Sequence, residues 1–269
     1  MTFNWLTVAH TRTAARCIAW IMPGTVRRQY SSTSACRPPL PPRVAKLCEI
    51  LGRADVDFPY ERLRLDHNKA GFNFVDREDQ MRDVLETWLA RFIEASSYRM
   101  DNPLSVIYSG PGAGKSRFLD ELADFPEAAL MSILHARGKL HDDQNKRAEF
   151  VQMLQNRANI LAFNITFNSN QSISADEIDW TARKQVLIRV LHLYFFPSTS
   201  FMYLSYTLNK LEYLEMDMLW DVLSHFAAWK KIDVKDIVFF LGVDETLKSG
   251  KAEGIASFIG ALMDDQPTG

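Results

Sequence analysis

Apolar positions along the chain follow two rhythms, and the changes between them mark out the expected elements. Met81, Val84, Leu85, Trp88, Leu89, Phe92 and Ile93 recur at helical spacing, which predicts a helix with one buried face. Asp101-Asn102-Pro103 breaks it, because the proline ring pushes Asn102 out of helical backbone angles. Residues 104–108 are a short apolar strand pattern, followed by a glycine-bearing loop and a helix through 117–122. Helices are expected across 127–159, with a break near Gly138. Leu161, Phe163, Ile165 and Phe167 then alternate with Ala162, Asn164, Thr166 and Asn168, a period of two that suits a strand with one solvated face or an edge position.

Two more helical patterns follow, over 181–196 and 206–230. Their stripes of Val186, Leu187, Val190, Leu191, Tyr194 and Phe195, and of Leu219, Val222, Leu223, Phe226 and Trp229, read as core. Arg189, within the first of these helices, reads as part of a solvated helix face, with a charge partner as the alternative. Residues 237–243 are apolar throughout, as expected of a strand covered on both faces in a parallel sheet. One helix-like stretch, 251–263, comes after it.

Between the first strand and its helix stands Ser109-Gly110-Pro111-Gly112-Ala113-Gly114-Lys115-Ser116. Three glycines within five residues let successive backbone N–H groups turn inward, and the opening turn of the helix adds unpaired donors and a positive dipole end. Phosphates fit such a cradle. Gly110, Pro111, Gly112, Ala113, Gly114, Lys115, Ser116 and Arg117 are the expected nucleotide contacts. Lys115 is placed to reach the β- and γ-phosphates and the Ser116 hydroxyl to ligate Mg²⁺. The full Walker A pattern has glycine where this chain has Ser109. The bland alternative is a glycine-rich turn that binds nothing.

The late apolar strand runs into Asp244-Glu245. Carboxylates at the C-terminal end of a parallel strand are what a nucleotide site needs opposite the phosphate loop, since open α/β sheets bind ligands at that edge. Asp244 is expected to hold Mg²⁺ with Ser116, and Glu245 to orient or deprotonate the attacking water, with Lys115 as its catalytic partner. Without the upstream loop, the pair would read equally well as the start of a surface turn.

From residue 74 onward the chain resembles the P-loop ATPases with an added catalytic Glu, the broad group containing AAA+ and STAND proteins. Phe74-Val75-Asp76-Arg77-Glu78 is similar to the box ahead of the phosphate loop that borders adenine there, with Asp76 in place of a glycine. Asn164-Ile165-Thr166-Phe167-Asn168-Ser169, Val190-Leu191-His192-Leu193-Tyr194-Phe195 and Phe240-Leu241-Gly242-Val243-Asp244-Glu245 resemble segments of the NTPase domain of Crinkler and retrotransposon-hot-spot proteins. The Crinkler header is missing, so an effector role does not carry over. The resemblance implies an α/β fold, a three-layer P-loop NTPase with a mostly parallel sheet. It also implies a further strand carrying a sensor residue, for which 245–269 leave no room, so the domain is expected to be incomplete at its C-terminus. ATP is preferred over GTP, because Leu247 stands where a GTPase has glycine, and Asn209-Lys210-Leu211-Glu212 precedes the strand that a base-reading motif should follow.

Composition changes the picture mainly at the N-terminus. The chain has 269 residues, 47% hydrophobic, and a net charge of −2, which gives no global reason to expect nucleic acid. No Asp or Glu precedes Glu49, whereas Arg12, Arg16, Arg27, Arg28, Arg37, Arg43 and Lys46 do. An acid-free, Arg-bearing, Ser/Thr-rich start is the composition of a mitochondrial transit peptide. Arg28-Gln29-Tyr30-Ser31-Ser32 resembles a processing site, so a matrix protein starting near Ser31 is expected. A secretory signal or a disordered basic tail are the other readings. Residues 31–73, with Arg37-Pro38-Pro39-Leu40-Pro41-Pro42-Arg43, are expected to be a stiff linker and lead-in before a 74–269 domain. No apolar run is long enough to cross a bilayer. Cys17, Cys36 and Cys48 offer no disulfide framework, and His135 and His141 read as surface residues rather than zinc ligands.

Three functions are compatible with these motifs. They are an ATPase coupled to remodelling or regulation, with a protein partner or self-association; a nucleotide-binding switch or scaffold with little turnover; and a small-molecule P-loop kinase.

Overall fold

Two neighbouring strands, apolar along most of their length, organise the chain, and helices cover both of their faces. The computed structural model describes residues 4–5, 17–22, 38–57, 78–94, 105–108, 115–124, 127–135, 144–168, 171–209, 217–255 and 257–258. Its strands are Asn4–Trp5 (β1), Cys17–Met22 (β2), Ser105–Tyr108 (β3), Ile160–Thr166 (β4) and Val238–Asp244 (β5). Its helices are Pro42–Ile50 (α1), Glu78–Glu94 (α2), Lys115–Ala123 (α3), Glu127–His135 (α4), Gln144–Gln155 (α5), Ala182–Phe195 (α6), Phe201–Asn209 (α7) and Asp217–Lys230 (α8). The readings placed on 1–3, 6–16, 23–37, 58–77, 95–104, 109–114, 136–143, 210–216 and 259–269, among them the processing site at 28–32 and the break near Gly138, lie outside the described residues.

The strand order is β1-β3-β2-β5-β4. β4 and β5 pair in parallel from Ile160↔Val238 to Thr166↔Asp244. β2 is antiparallel to both β3 and β5, so β3, β4 and β5 share one direction. The fold is mixed helix and strand, as expected, but the sheet is mixed rather than mostly parallel. The N-terminal segment is the reason: it supplies β1 and β2, and each ladder they form is antiparallel.

Side chains alternate across a strand, and that alternation separates two cores. Leu161, Phe163, Ile165, Phe239, Leu241 and Val243 join one core with residues of α1, α6, α7 and α8. Ala162, Val238 and Phe240 join the other with α2, α3, α4 and α5. By the same period Asn164, Thr166, Gly242 and Asp244 belong to the α3 side. The expected solvated face of β4 is therefore a correction. Ala162, Asn164 and Thr166 are all buried; Asn164 bonds to Asp120 of α3 and the Thr166 hydroxyl accepts Asn168 N–H, so protein groups stand where water was expected. The expected edge position is met among the described strands.

Two further expectations change. The helical pattern expected from 206 starts earlier, because Phe201, Leu204 and Leu208 already belong to α7, and its later part is α8, with 210–216 outside the described residues. The proline-rich stretch does not stay extended throughout. Pro42 opens α1 at a position where its missing N–H costs nothing, and Val44, Leu47 and Cys48, spaced on one helical face, are buried in the first core. Among the described residues no helix is long and apolar enough to cross a membrane.

β2 lies within the segment read as a presequence. Its backbone pairs with β5 from Cys17↔Asp244 to Met22↔Phe239 and with β3 from Cys17↔Ile107 to Ala19↔Ser105, so removing it leaves two open strand edges. A chain lacking residues 1–22 is predicted to lose more than about 3 kcal/mol of unfolding free energy, from several unmade backbone hydrogen bonds at about 1 kcal/mol each. Urea denaturation of the full and shortened chains checks this, and equal stabilities would contradict it.

Candidate functional site

The C-terminal ends of β3 and β5 lie at one rim of the sheet, because Cys17 is level with both Ile107 and Asp244. α3 starts at that rim with Lys115 and runs back over β5, β4 and β2. Of the sequence-predicted cradle, Gly110, Pro111, Gly112, Ala113 and Gly114 fall outside the described residues, while Lys115, Ser116 and Arg117 form the first turn of α3.

The structure brings Ser116 and Asp244 together. Although 128 residues apart in sequence, the Ser116 hydroxyl donates to Asp244 Oδ2 over 2.5 Å. Asp244 Oδ1 accepts the Glu245 backbone N–H at 2.9 Å, and the Asp244 carbonyl accepts Phe167 N–H at 3.2 Å. With both carboxylate oxygens engaged and 4% of the residue exposed, this side chain is held in one orientation. Lys115 is similarly buried, at 6%. Arg117 turns along its own helix, with Nε 3.8 Å from Glu121 Oε1.

Glu245 follows Asp244 with a φ of 56°, in the left-handed region that glycine prefers. A non-glycine residue there costs on the order of 1–3 kcal/mol. The turn that fixes it is closed by Lys248 N–H donating to the Glu245 carbonyl. That strain is compatible with a residue retained for its side chain.

One turn further along α3, Asp120 faces the same way as Ser116. Asn164 Nδ2 donates to Asp120 Oδ1 at 2.6 Å, with both residues 1% exposed. Asn164 Oδ1 has no hydrogen-bond partner, a penalty of about 1–3 kcal/mol. It lies over Gly242, its register partner on β5, and a Cβ there would meet Asn164 Oδ1 at 2.4 Å. Position 242 thus needs glycine for space. None of Asp120, Asn164 and Gly242 stands among the site residues that the sequence motifs assign, although Asn164 and Gly242 lie in segments that carry the resemblance. A polar residue and a glycine breaking otherwise apolar strands were the available signal.

The opposite face of the β4 end is tied down by Arg189. A solvated helix face was the expectation for it, and the structure corrects that, since Arg189 and Glu177 are both fully buried. Arg189 NH1 donates to Glu177 Oε2 and to the Gln185 carbonyl, both at 2.7 Å. Its Nε reaches the Thr166 and Gln171 carbonyls, its NH2 the Gln171 carbonyl, and its guanidinium lies over the rings of Phe167 and Phe201. Periodicity placed Arg189 inside a helix, but only three-dimensional packing supplies a carboxylate and three carbonyls to a buried cation. Burial pulls its pKa below the usual guanidinium value, and Glu177 opposes that shift. Beside it His192 contacts Gln171 Nε2 through Nδ1 at 3.2 Å and the Thr199 carbonyl through Nε2 at 2.8 Å, which assigns the proton to Nε2. Burial, chiefly, depresses the His192 pKa.

No known protein family, no curated protein and no solved structure matches this chain.

Two predictions follow from this geometry. Replacing Glu245 by Gly relieves the left-handed backbone, and unfolding experiments should show equal or higher stability, by up to about 1 kcal/mol; a loss larger than that would contradict the strain. His192 takes up a proton near pH 6.5 when unfolded and only at lower pH when folded. Its contribution is therefore present above that pH and is lost as pH falls towards the lower folded value. The melting temperature should drop on going from pH 7.5 to 5.5, with a smaller drop in His192→Gln; identical slopes would contradict it.

Proposed function

We propose that the chain is an ATP-binding P-loop NTPase of three-layer α/β architecture that hydrolyses Mg²⁺-bound ATP. The observation that carries this reading is the 2.5 Å hydrogen bond between Ser116, first hydroxyl after the glycine-rich loop, and Asp244, the acid ending the buried strand. Nucleotide sites of open α/β sheets need these two groups on one rim. A hydroxyl and a carboxylate are hard oxygen donors, which suits Mg²⁺. Ser116 and Asp244 would hold the ion, and when bound it neutralises charge on the β- and γ-phosphates.

The chain's own groups divide the remaining work. The glycine-rich sequence 110–114 suits the phosphates by composition, and the first turn of α3 turns its backbone N–H groups and positive dipole end towards them. Lys115 supplies a buried positive charge to the β- and γ-phosphates. Glu245 orients the attacking water and accepts its proton, and its turn sets it next to the acid that supports the ion. A tightly held Asp244 needs little rearrangement when charge develops, which is how a preorganised site lowers a barrier.

Energy from turnover is coupled to remodelling or regulation of a protein partner or of a second copy. The basic, acid-free N-terminus directs the chain to the mitochondrial matrix.

Lys115→Ala should weaken binding of mant-ATP by more than about 100-fold, a loss of roughly 3 kcal/mol in charge-assisted contacts. Glu245→Gln should retain that binding and stop steady-state phosphate release. Unchanged affinity in the first variant would remove the phosphate cradle from the account, and unchanged release in the second would remove Glu245 from catalysis.

A further inference from the structure

α3 touches the sheet at two polar points, and their spacings agree. Ser116 and Asp120 are four residues apart on a helix, which is about 6 Å along its axis. Asp244 and Gly242, with Asn164 beside Gly242 on β4, are two residues apart along the strands, about 6.6 Å. A helix running back along the strands can therefore make both bonds at once, Ser116 to Asp244 at the rim and Asp120 to Asn164 one step deeper.

We propose that Asp120 and Asn164 are positioning residues of the nucleotide site: their buried bond fixes the rotation of α3 about its axis, and thereby the presentation of Ser116 to Asp244. The inference rests on the nucleotide-site reading given above. Phe118, Leu119 and Leu122 also bury against the sheet side, but apolar packing permits a helix to roll or slide by small steps. A hydrogen bond between two residues that are each 1% exposed does not permit it. A roll of α3 would carry the Asp120 carboxyl out of the reach of Asn164 and break a bond that water is not at hand to replace.

Two details support alignment over simple stability. Asn164 keeps its amide N–H₂ on Asp120 even though its other atom, Oδ1, is then left without a hydrogen bond. Gly242 yields the space that this orientation needs, since a side chain at that position would collide with the Asn164 oxygen. An apolar pair would fill the same volume without a buried carboxylate. What the polar pair adds is direction.

The test measures mant-ATP affinity with and without Mg²⁺ in the full-length chain and its variants, with folding checked by thermal melting. The wild type should bind more tightly with Mg²⁺. Asn164→Val, which removes the donor and keeps a strand-forming shape, should bind Mg²⁺-free nucleotide within about threefold of wild type and lose at least about tenfold of the Mg²⁺ enhancement. Asp120→Asn, which still accepts from Asn164, should keep the enhancement. Should Asn164→Val fail to fold, Gly242→Ala takes its place, displacing the Asn164 oxygen without removing a polar group, and the same loss is expected. Full Mg²⁺ enhancement in a folded variant overturns the positioning role and leaves the nucleotide site standing. Failure of both variants to fold assigns the pair to stability alone and also overturns it. Absence of nucleotide binding by the wild type overturns the site reading itself.

Discussion

The hydrogen bond from Ser116 to Asp244 is the contact on which the rest of the arrangement depends. It joins the first turn of α3 to the last residue of β5 at the rim of the sheet. A surface hydrogen bond of this kind would be of small consequence, because water offers each group an equal partner. Here Asp244 is buried, and each of its carboxylate oxygens is engaged by the protein. Loss of either donor leaves a desolvated charge, so the bond orients the carboxylate far more firmly than its net energy suggests.

Around that contact the polar groups of the sheet are organised by strand alternation. Residues of β4 and β5 on one side enter a core with α6 and α8 that is apolar next to the strands and holds the buried Arg189, His192 and His225 on the helices, whereas the other side carries Asn164, Thr166 and Asp244 near the rim. Each needs a partner where water is scarce. Ser116, Asp120, Gln171 and Arg189 provide them, with Gln171 Oε1 accepting from Thr166 N–H and Arg189 donating to the Thr166 carbonyl. The Arg189–Glu177 pair is buried and fully hydrogen-bonded, the condition under which breaking it is severe, about 3–5 kcal/mol. It ties the segment after β4 to α6, so the rim stands between a polar clamp on one face and a buried ion pair on the other.

Much of this was legible in the sequence, for reasons that can be named. Strong periodicity predicted α2 and α6, and an unbroken apolar run predicted β5. Lys115, Ser116 and Asp244 were singled out because their residue types and settings suit phosphate and metal, and the structure brings Ser116 and Asp244 into contact. The misreadings share one cause. Asn164 and Thr166 looked solvated because polarity in an alternating strand usually means water, and Arg189 looked exposed because cations usually are. Only the tertiary structure shows that specific side chains and carbonyls replace water for all three. α1 escaped notice because it opens on Pro42, inside a proline run read as a linker, although Val44, Leu47 and Cys48 recur at helical spacing. The central placement of Cys17–Met22 was hidden by the basic, acid-free composition of its surroundings, which carries no information about backbone pairing.

The central claim is that Ser116 and Asp244 together form one ion-supported nucleotide site. Electron paramagnetic resonance of Mn²⁺ used in place of Mg²⁺, titrated into the protein with ATP, tests it most directly. The account predicts one immobilised Mn²⁺ per chain that requires ATP, lost on replacing Ser116 by Ala or Asp244 by Asn while both variants remain folded. The same ATP-dependent Mn²⁺ signal in both variants would contradict it.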